Sequence, residues 1–165
     1  MKSWPLLLIA LSSLSACGLR PVYSGGSHGA VAQALGNVEV QPIEGKGGWL
    51  VRNALNDRLA AMSGNGPTYK LVVKLDDQIS GFGLRADTAI TRERRTLRAR
   101  YQLVDVATGA QLIDDTAGSD AGIDVTSSEY ATIAAEDTAL ERLSQTLADQ
   151  IVARIALYAA RDTQR

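Results

Sequence analysis

The sequence predicts an α+β fold in which two helices pack on one face of a four-stranded sheet, in the order β-α-β-β-β-α, behind an N-terminal signal peptide. Three observations lead to this prediction. Four segments alternate apolar and polar residues with the period of a strand, two segments repeat apolar residues every three or four positions, and a short apolar run ends near the one cysteine. This element order is typical of a layered α+β sandwich, in which one face of the sheet stays bare.

The N-terminus has the features of a lipoprotein signal peptide. Lys2 precedes an apolar run over residues 6–11, and small residues follow up to Ala16. The run is too short to span a membrane, which takes about 20 apolar residues. The stretch Leu14-Ser15-Ala16-Cys17 resembles a bacterial lipobox. We therefore expect a diacylglycerol and an N-acyl chain such as palmitate on Cys17.

Two further points concern the export of the chain. An ordinary secretory peptide cut near Ala16 is the alternative, and it would leave Cys17 as a free thiol. Gly18, rather than aspartate, follows the cysteine, which by the sorting rule of bacterial lipoproteins indicates the outer membrane. The predicted organisation is a signal peptide over 1–16, a lipid anchor and flexible tether over 17–36, and one α+β domain over 37–161.

The first half of the domain gives one strand, one helix and a second strand. Residues 37–43 alternate enough for a short strand, which Pro42 places at a sheet edge or ends. Residues 49–62 follow helical spacing, and the Gly-rich stretch 64–67 ends that helix. Residues 69–76 alternate again, and the glycines at 81 and 83 with residues 85–87 are read as the connection to the next strand.

The second half gives a hairpin and a long helix. Residues 88–106 and 111–117 are the predicted strands, joined by a turn at Thr108-Gly109. The helix begins near Thr126, which with Glu129 fits a capping box, while Ser127 or Ser128 is an equally good cap. Roughly 30 residues of helix span about 45 Å. Its predicted apolar stripe is Ile133, Leu140, Leu143, Leu147, Ile151, Ile155 and Tyr158.

Composition and spacing argue against an enzyme. The single histidine, His28, lies in a Gly/Ser-rich stretch that cannot orient its ring. The adjacent pairs Asp76-Asp77 and Asp114-Asp115 lie in predicted strands, where neighbours point to opposite faces. The net charge of −1 gives no overall basic field for nucleic acid. We therefore predict no catalytic residues, no metal site and no cofactor beyond the acyl chains on Cys17.

Arginines along the third predicted strand form the one constellation with binding chemistry. Arg92, Arg94, Arg98 and Arg100 occupy even positions and so share one face, at about 6.6 Å per pair of residues. Guanidinium groups bind phosphate and carboxylate bidentately, which makes such a row suitable for a polyanionic ligand. An ordinary solvated face with cross-strand pairs to Asp114 or Asp115 is the other interpretation, and the sequence leaves both open.

Several motifs together resemble a known family. The lipobox cysteine followed by Gly18-Leu19-Arg20-Pro21-Val22-Tyr23 is similar to the start of the alphaproteobacterial branch of LptE, the lipopolysaccharide-assembly lipoproteins of the outer membrane. Later segments are similar to the strand, hairpin and helix signatures of that family, in the same order. They are Tyr101-Gln102-Leu103-Val104-Asp105, Thr108-Gly109, Ser127-Ser128-Glu129-Tyr130-Ala131, Glu136-Asp137-Thr138-Ala139 and Leu147-Ala148-Asp149-Gln150-Ile151.

The resemblance implies a role in the cell outer membrane. LptE proteins plug the lumen of the LptD β-barrel on its periplasmic side, held to outer-membrane lipid by their anchor, and bind lipopolysaccharide through basic residues near the connection between strands two and three. The matching candidates are Arg85, Arg92, Arg94, Arg98 and Arg100. A structural outer-membrane lipoprotein or a pilot for another envelope machine, with the arginines paired to an acidic protein, is the alternative.

Overall fold

The computed structural model describes residues 30–60, 67–84 and 90–162. The signal peptide, Cys17, His28 and Arg85 lie outside these ranges. Seven elements follow one another: α1 (Ala30–Gly36), β1 (Val38–Val40), α2 (Gly45–Ala60), β2 (Tyr69–Leu84), β3 (Ile90–Asp105), β4 (Gln111–Asp124) and α3 (Glu129–Asp162). From β1 onwards the order is β-α-β-β-β-α, which confirms the predicted fold class.

The four strands form one sheet in sequence order. β1 pairs parallel with only the first three residues of β2, from Val38 opposite Tyr69 to Val40 opposite Leu71. β2, β3 and β4 are antiparallel, with Leu71 opposite Leu103 and Leu103 opposite Ile113. The hairpin turns at Gly109, whose φ of +71° favours glycine. A register shift between Leu103 and Val104 marks a bulge at this end of β3.

One hydrophobic core joins the sheet to the helices. The odd-numbered residues of β2 and β3 that lie under the helices are buried there, and Leu97, Leu103 and Leu71 are almost fully inaccessible. The helices contribute residues at helical spacing to the same cluster. They include Val51, Leu55 and Leu59 of α2 and Leu140, Leu143, Leu147, Ile151 and Ile155 of α3. The predicted stripe is confirmed except at its first residue, Ile133, which is 50% exposed.

The helix α1 corrects part of the predicted tether. Residues 30–36 fall within the predicted flexible tether, yet they form a helix whose Val31, Ala32 and Leu35 are buried. These three positions lie on one side of a helix and belong with the core next to α3. The ordered domain therefore includes residues 30–36, because burying this apolar side offsets the entropy lost on ordering so short a helix.

Other element boundaries also differ from the prediction. β2 continues through Gly81 to Leu84, and β4 continues to Asp124. Both strands pair with β3 along these stretches, and this pairing keeps their glycines in the extended conformation. α2 begins at Gly45, where φ is +78°, ahead of the predicted Trp49.

The long helix α3 begins at Glu129, and its cap is the predicted alternative Ser128 rather than Thr126. The Ser128 hydroxyl accepts a hydrogen bond from the Ala131 amide at 3.4 Å, so Ser128 is the N-cap residue. The Thr126 hydroxyl instead donates to the Ser128 carbonyl at 3.0 Å. No helix in the described part of the chain combines the length and apolarity that a membrane crossing requires.

Candidate functional site

The predicted arginine row lies on the bare side of the sheet. We call this side, formed by the even-numbered residues of β2, β3 and β4, the open face. Arg92, Arg94, Arg98 and Arg100 are all exposed there, while the intervening Leu97 and Ala99 are buried under the helices. Strand alternation therefore places the four guanidinium groups on one surface, as predicted. Arg85 is outside the described residues.

Three of the four arginines pair with aspartates of β4. Arg92 Nε lies 2.9 Å from Asp124 Oδ1, and Arg94 Nε lies 3.8 Å from Asp120 Oδ2. Arg100 donates two hydrogen bonds to Asp114, at 2.9 and 2.8 Å. The cross-strand pairing that the sequence left open is therefore present for these three residues.

The Asp114 contact is the most elaborate of the three. Its Oδ2 also accepts hydrogen bonds from Gln102 at 3.1 Å and Gln111 at 3.2 Å. The bond from Arg100, followed by that from Gln102, lowers the pKa of Asp114 to about 2. The same contact raises the pKa of Arg100, so both groups stay charged at any physiological pH.

Arg98 differs from the other three because it forms no ion pair with any residue in the described ranges. It stands opposite Asp76 in the sheet, but both oxygens of Asp76 face the Gln78 amide, at 3.1 and 3.4 Å. Its other neighbour is Gly118 of β4, and a Cβ atom there would lie only 3.2 Å from Arg98 Cγ. The glycine therefore gives the Arg98 side chain room to lie over β4.

A shallow cavity opens beside this free arginine. Its volume is about 540 Å³, and its polar lining comes from three adjacent strands. Lys74 lies directly opposite Arg100 and, like Arg98, has no ion pair with a described residue. The polar lining residues are Lys74, Asp76, Arg98, Arg100 and Thr116. Two unpaired cations beside a hydroxyl group can hold a phosphate or sulfate group.

Two residues of β2 lie on this surface but are not among the candidates predicted from the sequence. Lys74 shares the even parity of the arginines, and Phe82 lies near the far end of the same strand, with its ring centroid 5.4 Å below the Arg94 guanidinium. Such a cation–π contact keeps Arg94 flat on the sheet. The face on which a strand residue lies can be predicted from its alternation in the sequence, but the register between β2 and β3 cannot.

Arg95 lies on the opposite side of the sheet and has a structural role. It donates to both oxygens of Asp77, at 2.9 and 2.6 Å, and to the Glu136 carbonyl of α3 at 3.0 Å. It therefore connects two strands to the long helix. Next to it, Glu93 has a buried Oε2 atom without a hydrogen-bond partner. Burial, and then the negative charge of Glu136, raise the pKa of Glu93.

The acidic pairs take the places expected of strand neighbours. Asp114 faces Arg100 on the open face, while Asp115 binds Arg154 of α3 at 2.8 Å on the other side. Asp77 is likewise held by Arg95, away from Asp76. Within the described ranges, no group of three or more metal-ligating side chains comes together.

Comparison with known proteins places this fold in a family. The LptE family model, described as lipopolysaccharide-assembly, matches residues 35–155. No protein with a curated description matches the sequence. A Caulobacter crescentus structure, provisionally named a lipoprotein, is 29% identical with a TM-score of 0.67, over 80% of this chain and 98% of that one.

Two more distant structures share the fold. A minor lipoprotein of Acinetobacter baumannii has a TM-score of 0.55 at 12% identity, over 74% of this chain and 92% of its own. Rare lipoprotein B of Shewanella oneidensis has a TM-score of 0.53 at 14% identity, over 73% of this chain and 92% of its own.

These matches define the class as α+β lipoproteins of the bacterial cell envelope. Because the family model covers most of the chain, the protein belongs to the LptE family. Members of this family are non-enzymatic lipoproteins of lipopolysaccharide assembly.

Proposed function

We propose that this protein is the lipoprotein partner of an LptD-type β-barrel in the outer membrane and that its open face binds lipopolysaccharide. Membership of the LptE family is the observation that carries the first part. The second part rests on the cavity beside Arg98, where two cations have no internal counter-ion among the described residues. Lipid anchoring at Cys17 belongs to the same proposal.

The open face suits the lipid A and core phosphates of lipopolysaccharide. Arg98 and Lys74 have no ion pair with a described carboxylate, although Asp76 also lines the cavity, and the Thr116 hydroxyl adds a donor there. A phosphate bound there would be held by protein cations rather than by the divalent cations that join lipopolysaccharide molecules in aggregates. The sandwich meanwhile fills the barrel lumen, with the helices and the sheet as a rigid body.

Recovery of the partner tests the first part. The tagged full-length protein is isolated from detergent-solubilised outer membranes, and co-purifying proteins are identified by mass. We expect one large β-barrel protein at about one to one. Recovery of a different complex, such as a secretion pore, or of the lipoprotein alone would contradict the barrel proposal.

Lipopolysaccharide binding tests the second part. We expect Arg98→Gln to weaken binding about tenfold, because a hydrogen bond to a charged group contributes about 1.5–3 kcal/mol. Arg142→Gln is the matched control, since Arg142 is exposed on α3, which packs on the other face of the sheet. The combined replacement of Arg92, Arg94, Arg98 and Arg100 by serine should abolish binding. Unchanged binding by a folded four-serine variant would refute the role of this face.

A further inference from the structure

The two edges of the sheet are built differently. β4 is one edge, and its outward backbone groups are partly covered by side chains: Gln150 of α3 accepts from the Gly118 amide at 3.2 Å and donates to its carbonyl at 3.4 Å. The neighbouring Thr116 amide donates to Asp115 Oδ1 at 2.8 Å. Covered edges of this kind prevent unwanted strand pairing.

Among the described strands, none pairs with the other edge along most of β2. β1 pairs only with Tyr69, Lys70 and Leu71, and no other described strand lies on that side. The Tyr69 amide donates to Asn37 and the Leu71 carbonyl accepts from Gln41, so odd-numbered residues of β2 direct their backbone groups outward. By strand alternation the same holds for Val73, Leu75, Asp77, Ile79 and Gly81.

The local structure leaves space for another strand at this edge. After β1 the last backbone hydrogen bond to β2 is that of Gln41, and a Cβ on Gly48 would lie 2.6 Å from the Ile43 carbonyl oxygen. A cavity of about 470 Å³ separates Pro42–Glu44 from residues 72–75 of β2. Further along, the Ile79 side chain is 43% exposed on the helix side. Backbone donors and acceptors beside an exposed apolar residue are what an added strand requires.

From these features we infer that the β2 edge accepts an extended segment of the barrel partner by strand addition. The segment places apolar side chains beside Leu75 and Ile79, an acid opposite Lys74 and a base opposite Asp76. Neither Lys74 nor Asp76 has an ion pair with a described residue. An acid and a base two positions apart on the added segment would therefore pair with them across the strands. Arg98, which lies towards Gly118, stays available to the cavity on the open face.

A second copy of the chain fits this edge poorly. Two copies could pair their β2 edges antiparallel about a two-fold axis. Lys74 then faces Asp76 of the other copy only if the axis passes through Leu75, so that the two Leu75 residues stand opposite each other. That register sets Ile79 against Leu71, whose edge β1 already occupies. The barrel segment has no such conflict. This inference rests on the proposed function, since it takes the barrel as the source of the strand.

Photo-cross-linking in intact outer membranes tests the inference. A benzoylphenylalanine is introduced at Gln78 on the β2 edge or, as the matched control, at Thr116 on the β4 edge, in the full-length lipoprotein. We expect Gln78 to yield one adduct that maps to a single barrel segment with an acid and a base two residues apart. Thr116 should not yield that adduct.

Two further variants examine the backbone and the charges separately. Ile79→Pro removes an outward amide, and we expect at least a tenfold loss of adduct, while Ile79→Thr keeps the amide and the adduct. If the proline variant does not fold, the charge swap Lys74→Asp with Asp76→Lys serves instead, and the adduct should fall severalfold at constant net charge.

The outcomes separate this inference from the proposed function. Recovery of the barrel without a Gln78 adduct, or an adduct unaffected by folded Ile79→Pro or by the charge swap, overturns strand addition alone. An adduct to a second copy or to another protein also overturns it. Failure to recover any barrel protein overturns both proposals.

Discussion

At the residue scale, Gly118 lies beside Arg98, the arginine of the row that has no ion pair with a described residue. Its neighbour Arg98 occupies the space that a side chain at this position would need, since a Cβ atom would approach Arg98 Cγ to 3.2 Å. A contact this short would displace the flexible Arg98 side chain rather than the backbone of the sheet. Binding at the open face should therefore respond to a change that adds only one methyl group.

We expect Gly118→Ala to weaken lipopolysaccharide binding about fivefold, because Arg98 shifts and one charge-assisted bond of about 1.5 kcal/mol is lost in part. Gly122→Ala is the control. Gly122 lies on the same face of β4, and a Cβ atom there would have no other atom within 4 Å. Titration of purified lipopolysaccharide measures both variants. Equal affinities for the two would show that the position of Arg98 does not matter.

A second residue-scale prediction concerns Glu93. Its pKa is raised by burial and by Glu136, so its neutral form favours the folded state. That contribution is present below the ordinary pKa of glutamate and is lost as the pH rises through the raised folded-state pKa. We therefore expect Glu93→Gln to raise the melting temperature at pH 7.5 and to leave it nearly unchanged at pH 4.

Thermal unfolding of Glu93→Gln at the two pH values measures this difference. Glu141→Gln provides the comparison, because Glu141 is exposed on the same helix that carries Glu136. A gain of the same size at both pH values, or the same gain in the Glu141 variant, would exclude the buried carboxyl as the cause.

At the scale of elements, the start of α3 depends on Ser128. We expect Ser128→Ala to lower the free energy of unfolding by about 1 kcal/mol, because the Ala131 amide loses its side-chain acceptor. Denaturant unfolding measures the change. Ser127→Ala should have little effect, and an equal loss in both variants would show that the Ser128 hydroxyl has no specific capping role.

The elements also show how far sequence reasoning reaches. Long periodic segments such as the α3 stripe were predicted, because a single face must pack on the sheet. The helix α1 was missed, since its seven residues follow a Gly/Ser-rich stretch and only Val31, Ala32 and Leu35 mark its buried side. Gly81 was read as a break in the strand, although β3 continues to pair with it.

The candidate site was predictable only in part, for a related reason. Strand parity alone put Arg92, Arg94, Arg98 and Arg100 on one face. Which of them meets an aspartate depends on the β3–β4 register, which sequence does not fix. Arg98 is free because Gly118 stands beside it, and Asp120 reaches Arg94 diagonally. Such pairings follow from the folded geometry and not from the residue types.

At the scale of the whole molecule, one core holds the sheet and the three helices of the described ranges, so unfolding should be a single cooperative transition. Leu147, fully buried on α3, tests this. We expect Leu147→Ala to lower the free energy of unfolding by about 2–5 kcal/mol without splitting the transition. Calorimetry with Leu157→Ala, a leucine 41% exposed on the same helix, gives the comparison. Two separate transitions would contradict a single core.

The aspartates of β4 have a consequence for how strongly the open face can hold a ligand. A phosphate that reaches Arg92 or Arg100 must first displace Asp124 or Asp114, so its net binding free energy is the difference between two similar ion pairs. Of the four arginines in the row, Arg98 alone offers attraction without such an exchange, and Lys74 beside it does the same. A surface built in this way would capture a phosphate at few points and release it easily at the others, which would suit the proposed transfer of lipopolysaccharide to the barrel.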